Sequence, residues 1–352
     1  MAYTAIDDPS AYFQVVLFTG TGSEQAITLG GDTDMSPDLV IAKTRAVAHN
    51  HGVQDSVRGA TKELYTETTA AEATYAETLK SFDSDGFTVG TDGGWNSDGD
   101  AKVAWCWKAG TAFSNDASAT GVGNTDSSGS ASSTAGFSIC KYTGAGASLD
   151  ITVKHGLSVK PTMFITKNLE DANSWAVYHG ANTSAPETDY LKLDTTTATI
   201  DNGEIWLDTA PTSAIFTAGD HSSSNRSGDD FVSYFWNDVQ GFSRFGTFEG
   251  NGNADGTFVN TGFRPAFVMT KSIDSTSSWH MFDNKREGYN VDNDPLVAEA
   301  STVEATTDMI DILSNGFKLR IATDPNVAET YVYMAFAEAP FVNSNGVPCN
   351  AR

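Results

Sequence analysis

The chain has 352 residues, 39% of them apolar and 11% aromatic, with a formal net charge of −24. That apolar content excludes global disorder, and the acidity excludes nucleic acid or an anionic membrane as partner. Three cysteines, an odd number, provide no disulfide framework.

Residues 1–11 read as an N-terminal arm. Its stretch MAYTAIDDPS has neither the basic nor the apolar region of a signal peptide, and no apolar run is long enough to cross a bilayer. The expectation is a protein made in a cytoplasm, without membrane insertion. A first unit, 12–108, opens with the strand Phe13–Gly20 and a TGTGSE turn, then a core strand at Pro37–Lys43. The stretch TKELYTETTAAEATYAETLKSF has helical composition diluted by Thr and Tyr, so a short helix and a long irregular crossover both fit. A turn at Asp83–Gly86 feeds Phe87 into the core, and NSDGD at Asn96–Asp100 leads into the aromatic strand Ala101–Lys108.

Gly, Ser, Ala, Thr and Asn dominate 109–135, which reads as a flexible linker. A second unit spans 136–240 and runs directly into a third, 241–341, followed by a polar tail, 342–352. This spacing predicts close packing of units two and three, with unit one tethered. Cys106 and Cys140 sit in apolar strand patterns as small core hydrophobes, whereas Cys349 lies in the polar tail.

One strand is spelled three times: PDLVIAK at Pro37–Lys43, PTMFITK at Pro161–Lys167 and PAFVMTK at Pro265–Lys271. Runs apolar on both faces belong to strands covered on both sides. Twelve residues after each Lys stand Asp55, His179 and Asp283, and four before those stand His51, Trp175 and Trp279. Phe87, Phe216 and Phe317 each precede an Asn by nine residues: Asn96, Asn225 and Asn326. An aromatic-x-Gly-x-Gly turn recurs at Phe18/Gly20/Gly22, Tyr142/Gly144/Gly146 and Phe248/Gly250/Gly252. Internal repetition in register means a triplicated domain. Short β-branched and aromatic strands between Gly/Asn/Asp turns make the expected fold all-β, three tandem antiparallel β-sandwich (jelly-roll-like) repeats.

Chemistry-bearing motifs are sparse. No nucleotide loop, zinc spacing or nucleophile elbow is present, so no catalytic, cofactor-binding or metal residues are assigned. The Asp-rich turns Asp83–Gly86, Asn96–Asp100 and Ser227–Asp230 offer oxygen atoms to calcium but match no EF-hand loop, and read as plain turns. His49 and His51 lack a third ligand and read as surface or turn residues. Asp55/Arg58 and Asp283/Arg286 read as ion pairs bracing a turn, with His179 and Asn182 in their place in unit two. Trp105, Trp107 and Trp236 lie in apolar strands. Trp175 and Trp279 hold repeated positions that suit a core, and Trp95 beside the Asn96 turn is the better candidate for an exposed ring. Trp95, Trp175 and Trp279 together form the candidate ligand platform, since exposed rings stack on sugars.

FTGTG, PDLVIAK, DSVRGA, SDGFTVG and VAWCWKAG, with FEGNG, TGFRPAFVMTK, SNGFKL and YVYMAFAEAPF, resemble a repeat domain of marine bacteriophage virion proteins. The resemblance covers nearly the whole chain beyond the arm. It implies a tail-fibre, appendage or capsid-surface component located on the virion and made in the host cytoplasm. It carries over no catalytic residues.

The expected function is therefore a non-enzymatic virion structural protein, mediating assembly and host attachment. Its expected partners are other virion proteins, further copies of itself and a host-surface glycan. Three repeats suit a pseudo-threefold assembly within one chain or a rod of stacked domains. A carbohydrate-binding adhesin is the alternative. A glycan-degrading tail spike would need two carboxylates about 5–10 Å apart in a groove, and no such pair recurs across the units.

Overall fold

The computed structural model describes residues 3–146, 149–286, 290 and 295–349. Its architecture is all-β and antiparallel. The first unit contains β1 (Phe13–Thr19), β2 (Gln25–Ile27), β3 (Leu39–Thr44), β4 (Gly52–Asp55), β5 (Lys62–Tyr65), β6 (Ala73–Thr74), β7 (Leu79–Asp83), β8 (Gly86–Val89), the one-turn helix α1 (Gly93–Asn96) and β9 (Ala101–Trp107). The second has β10 (Thr111–Asn115), α2 (Ala117–Thr120), β11 (Ser127–Ser132), β12 (Phe137–Thr143), β13 (Ile151–Lys154), β14 (Met163–Asn168), β15 (Ala176–His179), β16 (Asp189–Lys192), β17 (Ile200–Asp201), β18 (Ile215–Ala218) and β19 (Asp230–Trp236). The third has β20 (Ser243–Glu249), β21 (Phe258–Asn260), β22 (Phe263–Ser272), β23 (His280–Asp283), β24 (Leu296–Val297), β25 (Ile310–Leu313), β26 (Gly316–Leu319) and β27 (Thr330–Pro340).

One strand order recurs. The large sheets run β1-β9-β3-β4-β5, β12-β19-β14-β15-β16 and β20-β27-β22-β23-β24. The small sheets are β2-β8-β7, β13-β18 and β21-β26-β25. Lys43, Lys167 and Lys271 pair with Val103, Val232 and Val332, so the three repeated heptads hold equivalent places. Pro37 and Pro161 precede their strands. Pro265 lies inside β22 at a register shift, where no ladder donor is needed.

The double-sided apolar pattern has a direct cause. Leu39, Met163, Ile165, Phe267 and Met269 turn toward one core shared by all three units. On the opposite face, Val40 and Ala42 pack against the small sheet with Phe87, as Phe164 does with Phe216. Phe87, Phe216 and Phe317 are buried, each beneath its own turn. At the shared centre the equivalent rings Trp107, Trp236 and Phe336 meet, with Trp107 at 6.4 Å from Trp236 and 5.7 Å from Phe336. Burying a side chain of this size contributes roughly 1.5–3 kcal/mol, so the centre binds the units strongly. Unit one is accordingly no tethered module. Its apolar sheet face needs the other two units for cover.

Two further expectations are corrected. Segment 109–135 is not a linker: it contributes β10, α2 and β11, which extend the second sheet beyond β12. Its small residues serve close packing. A Cβ at Gly129 would lie 1.9 Å from the Ile139 carbonyl oxygen, and Ser127 Oγ donates to the Lys154 carbonyl at 2.9 Å. The N-terminal arm also packs on its own chain. Ile6 enters the core, Thr4 Oγ1 donates to the Gln240 carbonyl, and Asp7 accepts the Ser344 amide at 2.7 Å. The stretch between β5 and β7 is a crossover with the short strand β6, without helix.

Candidate functional site: the seams between units

The equivalent positions meet cyclically. Lys43 Nζ of unit one donates to the Ser301 carbonyl of unit three, at 3.2 Å. Lys167 of unit two reaches Thr69 of unit one at 3.1 Å, and Lys271 of unit three reaches Thr196 of unit two at 3.2 Å. Each ammonium also donates to the carbonyl of the residue after it, Thr44, Asn168 or Ser272. Burial brings all three lysines down to about 8, and carbonyl dipoles supply what water would have given. Backbone bonds repeat the cycle: Glu304 N to Arg45 O, Glu72 N to Leu169 O and Thr199 N to Ile273 O, at 2.8–3.0 Å. The three units are thus related by a pseudo-threefold arrangement inside one polypeptide.

Deeper in each seam lies the position twelve residues after the lysine. Asp55 accepts Tyr234 OH from unit two at 2.7 Å, and Asp283 accepts Trp105 Nε1 from unit one at 3.1 Å. His179 meets the Tyr333 carbonyl of unit three at 3.2 Å through Nε2, while its Nδ1 accepts the Ala181 amide. These two contacts require the neutral Nε2–H tautomer, and burial lowers this histidine to about 4. The aspartates are anchored by arginines: Arg286 Nε donates to Asp283 at 2.7 Å, and Arg58 donates to Asp55. Glu72 and Glu304 approach the far side of those guanidiniums at 3.1 and 3.4 Å. Unit two keeps the geometry without charge, since Thr199 Oγ1 donates to Asn182 Oδ1 at 2.7 Å. The ion pairs inferred from spacing are present, and they are buried parts of the interface between units.

The candidate ligand platform is not exposed. Trp175 Nε1 donates to the Tyr65 carbonyl of unit one, and Trp279 Nε1 to the Lys192 carbonyl of unit two. Trp95 donates to Glu63 at 2.6 Å and is 2% exposed. None of the three rings offers a free face to a sugar. His51 holds the tryptophan's place in unit one; it is fully buried against Trp105, with Nδ1 3.6 Å from Glu67. It is a buried residue and not a surface one.

A pocket of about 310 Å³ is lined by His49, Glu63, Tyr65, Asp92 and Trp95, among others. Burial raises Glu63 to about 7. Its acids have structural tasks: Glu63 holds the Trp95 indole, and Asp92 caps the Gly94 and Trp95 amides of α1. Among the described residues no group of three or more His, Cys, Asp or Glu is placed to hold a metal ion. The Asp-rich turns bond locally, as where Asp83 accepts Ser81 and Thr88 hydroxyls at 2.7 Å.

A family model described as "Domain of unknown function (DUF7483)" matches residues 8–340. The chain belongs to this family. The match spans all three units. No curated protein matches the chain.

Sequence reasoning missed the seam role of the lysines and aspartates. The signal was present, because a Lys buried in an apolar strand must find acceptors. Thr69, Thr196 and Ser301 carry no motif that names them as those acceptors.

Proposed function

We propose that this family member is a non-enzymatic structural component of a bacteriophage particle, on a tail appendage, a fibre or the capsid surface. The observation that carries the reading is the cyclic seam: one chain closes three equivalent sandwiches around a shared core. Particles are assembled from cyclic symmetry, and such a chain presents related outer surfaces at three positions to its neighbours. The resemblance of FTGTG, PDLVIAK and YVYMAFAEAPF to virion proteins supports the same reading. The net charge of −24 keeps free copies apart by repulsion until a scaffold gathers them. The partners in this reading are other virion proteins and further copies, with a host surface as the target of attachment.

The test is location. Antibody-gold labelling and mass spectrometry of purified particles from the encoding phage should find the protein at stoichiometric copy number, on head or tail. Its absence from particles, with accumulation in infected cells, would overturn the proposal.

A further inference from the structure

The pseudo-threefold relation makes the three large-sheet edges comparable, and they are not treated alike. Bonds from Lys108 N to Tyr12 O and from Gly20 N to Asp100 O fix how β1 faces β9. The even-numbered residues of β1 bond to β9, so the N–H and C=O of Phe13, Val15 and Leu17 point away from the sheet. Their equivalents on β12 are Phe137, Ile139 and Lys141, which pair with Ser132, Ser130 and Ser128 of β11. On β20 the equivalents are Ser243, Phe245 and Thr247, of which the first two are capped. Ser243 exchanges backbone bonds with Val239, and the Phe245 amide donates to Asp238 Oδ1 at 2.8 Å. For Phe13, Val15 and Leu17 no such partner exists among the described residues, and β1 ends its sheet.

The space beside β1 is a cleft. It measures about 380 Å³, runs along Phe13–Leu17, and is walled by Gly30 and Gly31 of unit one and Ala266 and Ala337 of unit three. It occupies the place that β11 fills in unit two. We infer that β1 is a docking edge that accepts an extended, uncharged segment of small residues from a different protein, added as β11 is added to β12.

Each part of that description has a cause. Unpaired N–H and C=O groups in a row select an extended strand, which is the recognition mode of strand addition. Glycine and alanine walls admit small side chains, as the close Gly129–Ile139 approach shows for the built-in strand. Of the two charged groups at the cleft, Lys285 and Glu338, Glu338 is held by Arg264, so no row of like charge lines the cleft to select a charged occupant. The inference is independent of the virion reading. It specifies the segment that β1 holds, an uncharged strand of small residues from a different protein.

The probe is the chain's own uncharged segment, a fluorescent peptide SSGSASST matching residues 127–134, titrated into the full-length protein. Saturable binding tighter than about 1 mM is expected, weak because eight residues lose much conformational entropy. Leu17→Pro deletes one outward amide at a partly exposed edge position where Pro is tolerated. It should weaken binding at least tenfold. The same loss is expected for a peptide N-methylated at the positions matching Ser128, Ser130 and Ser132. If Leu17→Pro does not fold, hydrogen exchange on the unaltered protein decides: the peptide must slow the Val15 and Leu17 amides. Equal binding by both proteins, no binding to either, or no slowing of those amides would overturn the inference. So would a dimer of the full chain in sedimentation that Leu17→Pro dissociates, which would make a second copy the occupant.

Discussion

Tyr234 of the second unit donates its hydroxyl to Asp55 of the first at 2.7 Å, in a site closed to solvent. Tyr234→Phe removes that donor and leaves the carboxylate with Arg58 and two amides. The expected loss is about 1–3 kcal/mol in urea unfolding. Trp105→Phe removes the donor to Asp283 and also leaves a cavity at a fully buried ring, so its loss should be the larger of the two. The two lie in different seams with different acceptors, so their effects should add to within about 0.5 kcal/mol. A coupling well above that would mean that the seams yield together.

Much of this was legible in the sequence. The heptad's apolarity on both faces requires two covered sides, and the structure supplies the small sheet on one and the shared core on the other. The Phe-to-Asn step of nine also has a physical reading: Asn96, Asn225 and Asn326 each bond back to the Gly-x-Gly turn of their own unit. What could not be read was which faces meet. Spacing along a chain does not say that Lys167 will find Thr69, and a Trp at a turn does not announce Glu63 thirty-two residues away. Ser and Gly in 109–135 looked flexible because small residues serve flexibility and close packing alike.

The two glycines of the third unit's turn should respond differently to the same substitution. A Cβ on Gly250 would lie 1.9 Å from the Val327 carbonyl oxygen, whereas Gly252 has open space but φ of +62°. Gly252→Ala should cost about 1 kcal/mol from backbone strain alone. Gly250→Ala must move backbone, and the expected cost is about 3 kcal/mol or more. Thermal unfolding of the two variants side by side checks the order, and equal shifts would contradict the close approach.

Glu63 sets a pH dependence that a single variant isolates. Burial raises its folded value to about 7 from an ordinary 4.5, so the folded state holds a proton that the unfolded state has released. Stability from this group is present below the unfolded value and falls as pH rises through the window from 4.5 to 7. Glu63→Gln keeps an acceptor for Trp95 Nε1 and cannot ionise. Relative to the natural protein it should be similar at pH 4 and more stable by about 3 kcal/mol at pH 8. Urea midpoints across that range give the difference, and a constant offset would show that Glu63 stays charged throughout.

The second unit's added strands test the view that composition there serves packing. Gly129 in β11 has the Ile139 carbonyl oxygen 1.9 Å and the Phe113 ring 2.9 Å from where a Cβ would sit. Gly129→Val therefore cannot keep β11 against β12, and overpacking of this kind costs about 1–3 kcal/mol or more. The strain falls at the sheet's outer margin, because β12 also pairs with β19 and the shared core lies beyond it. The expected outcome is local release of β10 and β11 while the three sandwiches stay folded. Limited proteolysis reads this directly. The natural protein should resist cleavage within 109–135, and Gly129→Val should be cut there while the unfolding transition of the remainder is retained. Rapid cleavage of the natural protein in that segment would restore the flexible linker and remove the internal precedent for strand addition at β1.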